Sequence, residues 1–303
     1  MRIRYRQRSL LGFTLTELLI AMATSGLLLG TIVSSFIAQQ KSYNLQAQIV
    51  EMTHNARIAI DRITRDLRTA GYGVPPSGLS NWVNWLKDAD GKPLELTSPV
   101  QFIPGTAGQN MLILAGSFHP PIATLQGLPT PLVTKELELR YAQPHDSGKI
   151  QSGKILYIGR HETAMVTSVK SRRKRGDTVE IDANPGKAGR QGLSGIYLKP
   201  LTDQLPVEVL DIITYKIDMD HANYTMPTPV LKRDENTGGG AQPLAEYIET
   251  LSLTRDDNLL TVSLTARTSE PDPKYRHPTA HDGYRRLTLS STVQLRNAGS
   301  TQN

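Results

Sequence analysis

An apolar segment without charges lies near the N-terminus. Residues 18–38 contain no acidic or basic side chain. A helix rises 1.5 Å per residue, so this segment would be about 31 Å long, close to the roughly 30 Å hydrocarbon core of a bilayer. The pattern therefore predicts one membrane-spanning helix.

The helical pattern continues beyond this segment as an apolar stripe with steps of three or four residues. No proline occurs between Phe13 and Val74, and Gly71, Gly73 and Pro75 then provide a stop. We predict one helix with a transmembrane half at 13–38 and an amphipathic half at 39–73 that packs on a globular domain. A coiled-coil dimer is the alternative interpretation of the stripe. The stripe consists of Leu45, Ile49, Met52, Ala56, Ile60, Ile63 and Leu67.

The remainder of the chain predicts a mostly antiparallel β-sheet, because strand patterns follow one another without interleaved helices. Residues 74–134 are rich in proline and glycine and are predicted to form a loop-rich insertion with one strand at 111–115. Residues 135–297 are predicted to form the β-rich domain, and 298–303 a flexible tail. The fold class is therefore α+β. The predicted strands of the domain are 135–141, 155–160, 164–169, 178–182, 195–199, 209–217, 248–254, 259–267 and 286–295.

Charge is concentrated at the start of the chain. The net charge is +6, but the first twelve residues hold four arginines and no acid, so the rest of the chain is nearly neutral. The overall basic character therefore does not indicate a nucleic-acid-binding protein. Arg2, Arg4, Arg6 and Arg8 instead predict a cytoplasmic N-terminus by the positive-inside rule. The absence of cysteine excludes disulfides and thiolate sites but leaves the redox compartment open.

Two features of the N-terminus have alternative interpretations. Ala21 and Ala23 fit the small-residue spacing of an ordinary secretory signal, although the apolar run continues for 15 residues beyond them. Glu17 stands at the edge of the apolar segment, where an acid costs less than the roughly 3 kcal/mol at a bilayer centre. It is either a functional group or the acidic member of a capping box with Thr14.

The segment 11–21, LGFTLTELLIA, resembles the class III signal of type IV pilins and type II secretion pseudopilins. The resemblance implies a leader at 1–12 that a prepilin peptidase removes after Gly12. It also implies N-methylation of the new N-terminal Phe13 and a docking role for Glu17. The carboxylate on an incoming subunit would pair with the ammonium of a neighbour, so that neither charge lies unpaired in lipid.

Three further segments narrow the resemblance to PilW-like minor pilins: residues 63–73, 243–249 and 283–297. A type IV pilin-like fold is implied, in which the long helix packs on the sheet. The implied protein is an inner-membrane minor pilin with a periplasmic domain, acting in a priming or tip complex, with the extracellular pilus tip as its place after assembly. The implied partners are the prepilin peptidase, other minor pilins, the major pilin and the inner-membrane assembly platform. The alternatives are a J-like pseudopilin and a membrane-tethered periplasmic domain that binds DNA or a surface.

No set of residues indicates catalysis, a cofactor or a metal, so we do not expect an enzyme. The alternating oxygen side chains of 218–223 lack the glycine and the bidentate glutamate of a calcium loop. The densest basic run is predicted to be a solvated hairpin tip, with DNA binding as the weakly supported alternative, because no aromatic side chain interleaves it. Its cations are Lys170, Arg172, Arg173, Lys174 and Arg175.

The leader generates a first prediction. Intact mass measured in the native host should show the loss of residues 1–12 and the gain of one methyl group. Gly12→Val should leave the precursor uncut, because a branched side chain crowds the extended backbone at the peptidase site. A chain that keeps Met1 in its native host would contradict the assignment.

Overall fold

Two compact units divide the chain, residues 1–50 and 51–303, and each is described separately. One helix, α1 (Leu15–Thr69), contributes residues to both units. The computed structural model describes residues 14–75, 79–80, 83, 86, 93–105, 110–126, 133–143, 146, 149–159, 162–173, 176–184, 193–194, 205–220, 228–237 and 239–295.

The first unit contains the apolar part of α1. Its large apolar side chains are exposed from Leu15 to Ile37, and Phe36 keeps 65% of its surface exposed. A window of α1 near the N-terminus has a mean hydropathy of 1.8 with none of its residues buried, and the helix is long and apolar enough to cross a membrane. The predicted apolar helix is therefore confirmed.

In the second unit one face of α1 is buried at steps of three and four residues. This burial matches the predicted amphipathic pattern and occurs within a single chain, which favours the domain-packing interpretation over the coiled coil. The buried residues are Met52, Ala56, Ala59, Ile60, Ile63, Thr64, Asp66 and Leu67.

Glycines terminate α1 and allow close contact with the sheet. Gly71 has a φ of 85°, a backbone conformation that glycine adopts without the steric cost that a Cβ would bring. Its N–H donates to the carbonyl of Ala115 at 2.8 Å. A Cβ on Gly116 would lie only 2.9 Å from the carbonyl oxygen of Thr69. Two glycines thus permit the end of the helix to lie directly against a strand.

The described residues after the helix form fifteen strands, and every pairing among these strands is antiparallel. They are β1 (Val100–Ile103), β2 (Met111–Gly116), β3 (Ala123–Leu125), β4 (Val133–Thr134), β5 (Glu136–Tyr141), β6 (Ile155–Ile158), β7 (Glu162–Arg173), β8 (Gly176–Asp182), β9 (Leu193–Ser194), β10 (Leu205–Asp220), β11 (Thr228–Asp234), β12 (Gln242–Glu246), β13 (Ile248–Asp256), β14 (Leu259–Arg267) and β15 (Arg286–Gln294).

The 16-residue strand β10 joins two parts of the main sheet. Its first part pairs with β3 on one side and with β6 on the other, and the order β10-β3-β5-β8-β7-β6 returns to β10. This closed ring encloses an apolar core that includes Leu139, Leu156 and Val179. The second part of β10 pairs with β2 and β11, which β1 and β12 extend. Strands β13-β14-β15 form a separate sheet, and β4-β9 a short pair.

The prediction of a loop-rich insertion with one strand at 74–134 requires correction. Four strands, β1 to β4, begin in this segment, and β2 and β3 are integral to the main sheet. The one strand predicted there, 111–115, corresponds to β2, whose six residues are all buried, whereas β1, β3 and β4 were not predicted.

Strands β11 and β12 were also missed, because each contains a proline, Pro229 and Pro243, which lowers the sequence signal for a strand. The predicted strand 195–199, the leader 1–12 and the tail 298–303 lie outside the described residues.

A buried carboxylate on α1 connects the helix to the sheet. Asp66 is 4% exposed, and its Oδ2 accepts hydrogen bonds from the Tyr215 hydroxyl at 2.5 Å and from Nε of Arg233 at 3.0 Å. Arg233 also donates to Glu235 at 2.5 Å. Burial, reinforced by the Asp66 carboxylate, raises the pKa of Tyr215, which therefore stays protonated and remains a donor.

Loss of this carboxylate should destabilise the domain. Asp66→Ala leaves the Tyr215 hydroxyl and the Arg233 guanidinium without their shared acceptor, which we expect to cost about 3 kcal/mol. For a domain of this size the Tm would fall by about 6–12 °C. Thermal unfolding of the full chain in detergent tests this, with Asp61→Ala on the exposed side of the same helix as the control. Equal Tm values for the two variants would contradict the role of Asp66.

Candidate functional site

A capping box closes the start of α1, as one interpretation of Glu17 predicted. The N–H of Glu17 donates to Oγ1 of Thr14 at 3.2 Å. The backbone N–H and the hydroxyl of Thr14 donate to Oε2 of Glu17 at 3.0 and 2.9 Å. Because both bonds to the carboxylate use Oε2, Oε1 has no partner among the described residues and can accept a bond from another molecule. Gly12 and Phe13 lie outside the described residues.

Hydroxyl groups within the apolar part of α1 bond to the helix itself. Thr24 donates to the carbonyl of Ile20 at 2.9 Å, Thr31 to that of Leu28 at 2.8 Å, and Ser34 to that of Gly30 at 2.8 Å. Such back-bonding satisfies a polar side chain without water, which is the condition that a hydrocarbon environment imposes. These three hydroxyls are therefore compatible with lipid on all sides.

The basic run lies at the end of a hairpin between β7 and β8, as predicted, but its first residues, up to Arg173, belong to the strand. β7 continues to Arg173 and pairs with β8 up to Gly176. Lys170 forms ion pairs with Glu136 and, at 2.9 Å, with Glu180. The hydrogen bonds to Glu136 and then Glu180 raise the pKa of Lys170.

Lys170 is consequently neutralised by two carboxylates and is a poor contributor to phosphate binding. Of the other four cations in the run, Arg172 and Arg173 belong to β7 by their backbone, and their side chains lie outside the described residues. Lys174 and Arg175 lie outside them entirely.

Residues 218–220 of the candidate calcium segment lie on a strand and not in a loop. Strand β10 continues through Asp220, and Oδ2 of Asp218 forms an ion pair with Nζ of Lys232 at 3.1 Å. Residues 221–227 lie outside the described residues. In the part of the chain that the structure describes, no cluster of three or more His, Asp or Glu could hold a metal ion.

A cleft of about 730 Å³ contains a cluster of ionisable groups that the sequence did not reveal. Asp211 is 8% exposed and lies 3.7 Å from Nζ of Lys154 and 3.9 Å from Nε2 of His119. Asp146 pairs with Lys149 at 2.7 Å beside them. Burial raises the pKa of Asp211, although Lys154 and His119 oppose the shift. These residues come from separate segments, so no local spacing could indicate the cluster.

Comparisons of the chain with protein-family models, with curated proteins and with solved structures find no match. A functional argument for this protein accordingly depends on its own residues: the capped apolar helix, the ion-paired Lys170 and the Asp211 cleft.

The raised pKa of Asp211 predicts a measurable pH dependence. The unfolded chain ionises this carboxyl near its ordinary value of 3.8, and the folded chain does so only at higher pH. The contribution of Asp211 to stability is therefore largest below pH 3.8 and is lost as pH rises through the folded pKa. Asp211→Asn should raise the Tm at pH 7 and flatten this part of the pH profile.

Thermal unfolding of the full chain between pH 3.5 and 8 provides the measurement. Asp256→Asn, which changes an exposed carboxylate, is the control and should leave the profile unchanged. Parallel pH profiles for wild type and Asp211→Asn would contradict the prediction.

Proposed function

We propose that this chain is a PilW-like minor pilin that takes part in type IV pilus assembly, in a priming or tip complex at the inner membrane. The observation that carries the proposal is the arrangement at the N-terminus. A basic leader ends at Gly12, directly before Phe13, and a single acid, Glu17, lies at the start of an exposed apolar helix.

The position of Glu17 supports the docking role. Cleavage after Gly12 creates an ammonium on Phe13, four residues before the carboxylate. Within a lipid environment each of these charges is costly alone, so pairing between subunits offsets the desolvation of both. Oε1 of Glu17, which has no partner in the part of the chain that the structure describes, is available for that ammonium while Oε2 keeps the helix capped.

The continuity of α1 supports the same function. The apolar anchor and the buried face that holds the β-domain belong to one uninterrupted 55-residue helix. A protein that only needs tethering to a membrane can use a flexible linker between anchor and domain. One helix thus carries both the apolar segment that the proposal places in the membrane and the face that is buried against the β-domain.

The leader arginines support a cytoplasmic N-terminus and a periplasmic domain. Two alternatives remain distinct proposals: a J-like pseudopilin of type II secretion and a membrane-tethered periplasmic binding domain. Failure of a prepilin peptidase to remove the leader favours the tethered domain. Crosslinking to secretion pseudopilins instead of minor pilins favours the J-like assignment.

Substitution at Glu17 separates docking from capping. Glu17→Gln keeps the size of the side chain and removes its charge, so insertion should persist and cleavage should persist largely. Recruitment should fail, because the ammonium of Phe13 on a neighbour loses its counter-charge. Crosslinking in native-host membranes between this subunit and other minor pilins provides the measurement.

Thr14→Ala is the matched control, since it removes the capping hydroxyl and keeps the carboxylate. It should cost about 1 kcal/mol of helix stability and leave crosslinking intact. Normal crosslinking in Glu17→Gln would reject docking and leave Glu17 as a helix cap.

A further inference from the structure

Strand β15 forms an open edge of the three-stranded sheet. Among the described residues β15 pairs only with β14. Two backbone hydrogen bonds at the ends of the strand show which groups face β14. The N–H of Leu295 donates to the carbonyl of Asn258, and the N–H of Thr268 donates to the carbonyl of Arg285, both at 2.9 Å. Since backbone direction alternates along an antiparallel strand, odd-numbered residues of β15 bond to β14. The N–H and C=O groups of the even-numbered residues therefore point away from the sheet.

This edge lacks the devices that usually prevent strand pairing. β15 is nine residues long and contains no proline, no glycine and no lysine. Its one charge, Arg286, is held at the strand end by Glu249 at 2.6 Å and by Asp282 at 2.7 Å. The opposite edge of this sheet, β13, is different, because it carries a bulge near Ile248 and an exposed charge at Arg255.

A row of hydroxyls follows the exposed face of β15. Thr288, Ser290 and Thr292 are exposed and bond to three hydroxyls of β14. Each hydroxyl has one donor and two acceptor positions, so each retains capacity for a further bond. Cross-strand hydroxyl pairs of this kind stabilise a sheet. The pairs are Thr265–Thr288 at 3.0 Å, Ser263–Ser290 at 2.7 Å and Thr261–Thr292 at 3.0 Å.

We propose that β15 is a homotypic docking edge, on which β15 of a second copy pairs antiparallel with Ser290 opposite Ser290. A two-fold axis at this residue places two pairs of like residues together and sets Leu289 opposite Ser291. Thr288 lies opposite Thr292, and Leu287 opposite Val293. Arg286 lies opposite the neutral Gln294, so no like charges are opposed.

Backbone geometry favours this register. Pairing about Ser290 matches every even-numbered residue with another, so the outward N–H and C=O groups of both copies meet. A slip of one residue would place even-numbered residues opposite odd-numbered ones, whose N–H and C=O groups already bond to β14, so the two copies could not form these hydrogen bonds. A slip of two would place Arg286 opposite Thr292 and leave strand ends unpaired.

The inner face of β15 gives independent support. Leu287 and Leu289 are half-buried, whereas their neighbours Leu264 and Ala266 on β14 are fully buried. Added strands cover the flank of an edge strand, so the second copy would bury more of these two leucines. This docking edge belongs to the β-domain and does not depend on the pilin assignment.

The chain contains no cysteine, which allows a direct test with single cysteines in the full-length protein in membranes. Ser290→Cys would place two thiols on residues whose Cα atoms are about 5.5 Å apart, within the range for a disulfide. Mild oxidation should yield a covalent dimer. Ser263→Cys is the matched control, because in the dimer its two copies are three strand spacings, about 14 Å, apart and cannot form a disulfide.

Charge pairs on the Ser290→Cys background test the register. Thr288→Lys with Thr292→Lys opposes like charges twice and should lower the yield of dimer several-fold. Thr288→Lys with Thr292→Glu opposes unlike charges and should restore it. Both double variants change exposed residues, and their thermal unfolding verifies that they fold.

Three results would overturn the proposal. One is a dimer yield from Ser290→Cys no greater than from Ser263→Cys. Another is equal yield from the two charge variants. The third is disulfide linkage of Ser290→Cys to a different protein in preference to a second copy, which would assign the edge to another partner.

Discussion

Burial of the last part of α1 against the β-domain is the constraint on which the rest of the structure depends. The apolar face from Met52 to Leu67 removes a continuous stripe from water, and Asp66 lies within that stripe. A carboxylate in such a place is tolerated only when donors surround it, and β10 and β11 supply them through Tyr215 and Arg233. The helix is thus fixed in rotation as well as in position, because a turn about its axis would separate Asp66 from both donors.

The same constraint explains the position of β10. The first part of this strand completes the closed ring of strands. The second part pairs with β2, whose end lies against the glycines that terminate α1. Tyr215 lies on the second part and Asp211 near the transition between the two. The 16-residue strand β10, which bonds to four other strands, therefore contributes both to the contact with the helix and to the charged cleft.

The sequence predicted features whose pattern is local. Helix α1 and the alternating strands β5, β8, β14 and β15 were predicted because burial on one face leaves a period in the sequence. Strands β1, β3, β11 and β12 were missed because they are short or contain proline. Lys170 was assigned to a solvated turn because its partner Glu136 is distant in sequence. The Asp211 cleft was missed for the same reason, since only the tertiary fold brings its members together.

The observed capping role of Glu17 and its proposed docking role are compatible for a physical reason. A carboxylate has two oxygens with about four acceptor positions, and the capping box uses only Oε2. A cap alone needs no full charge, because a neutral hydroxyl or amide satisfies helix N–H groups at similar stability. In the membrane setting that we propose, a full charge beside the helix adds a desolvation cost that a counter-charge offsets. The choice of an acid at this position therefore favours a cationic partner, and the ammonium that cleavage after Gly12 would create on a neighbouring subunit satisfies that requirement.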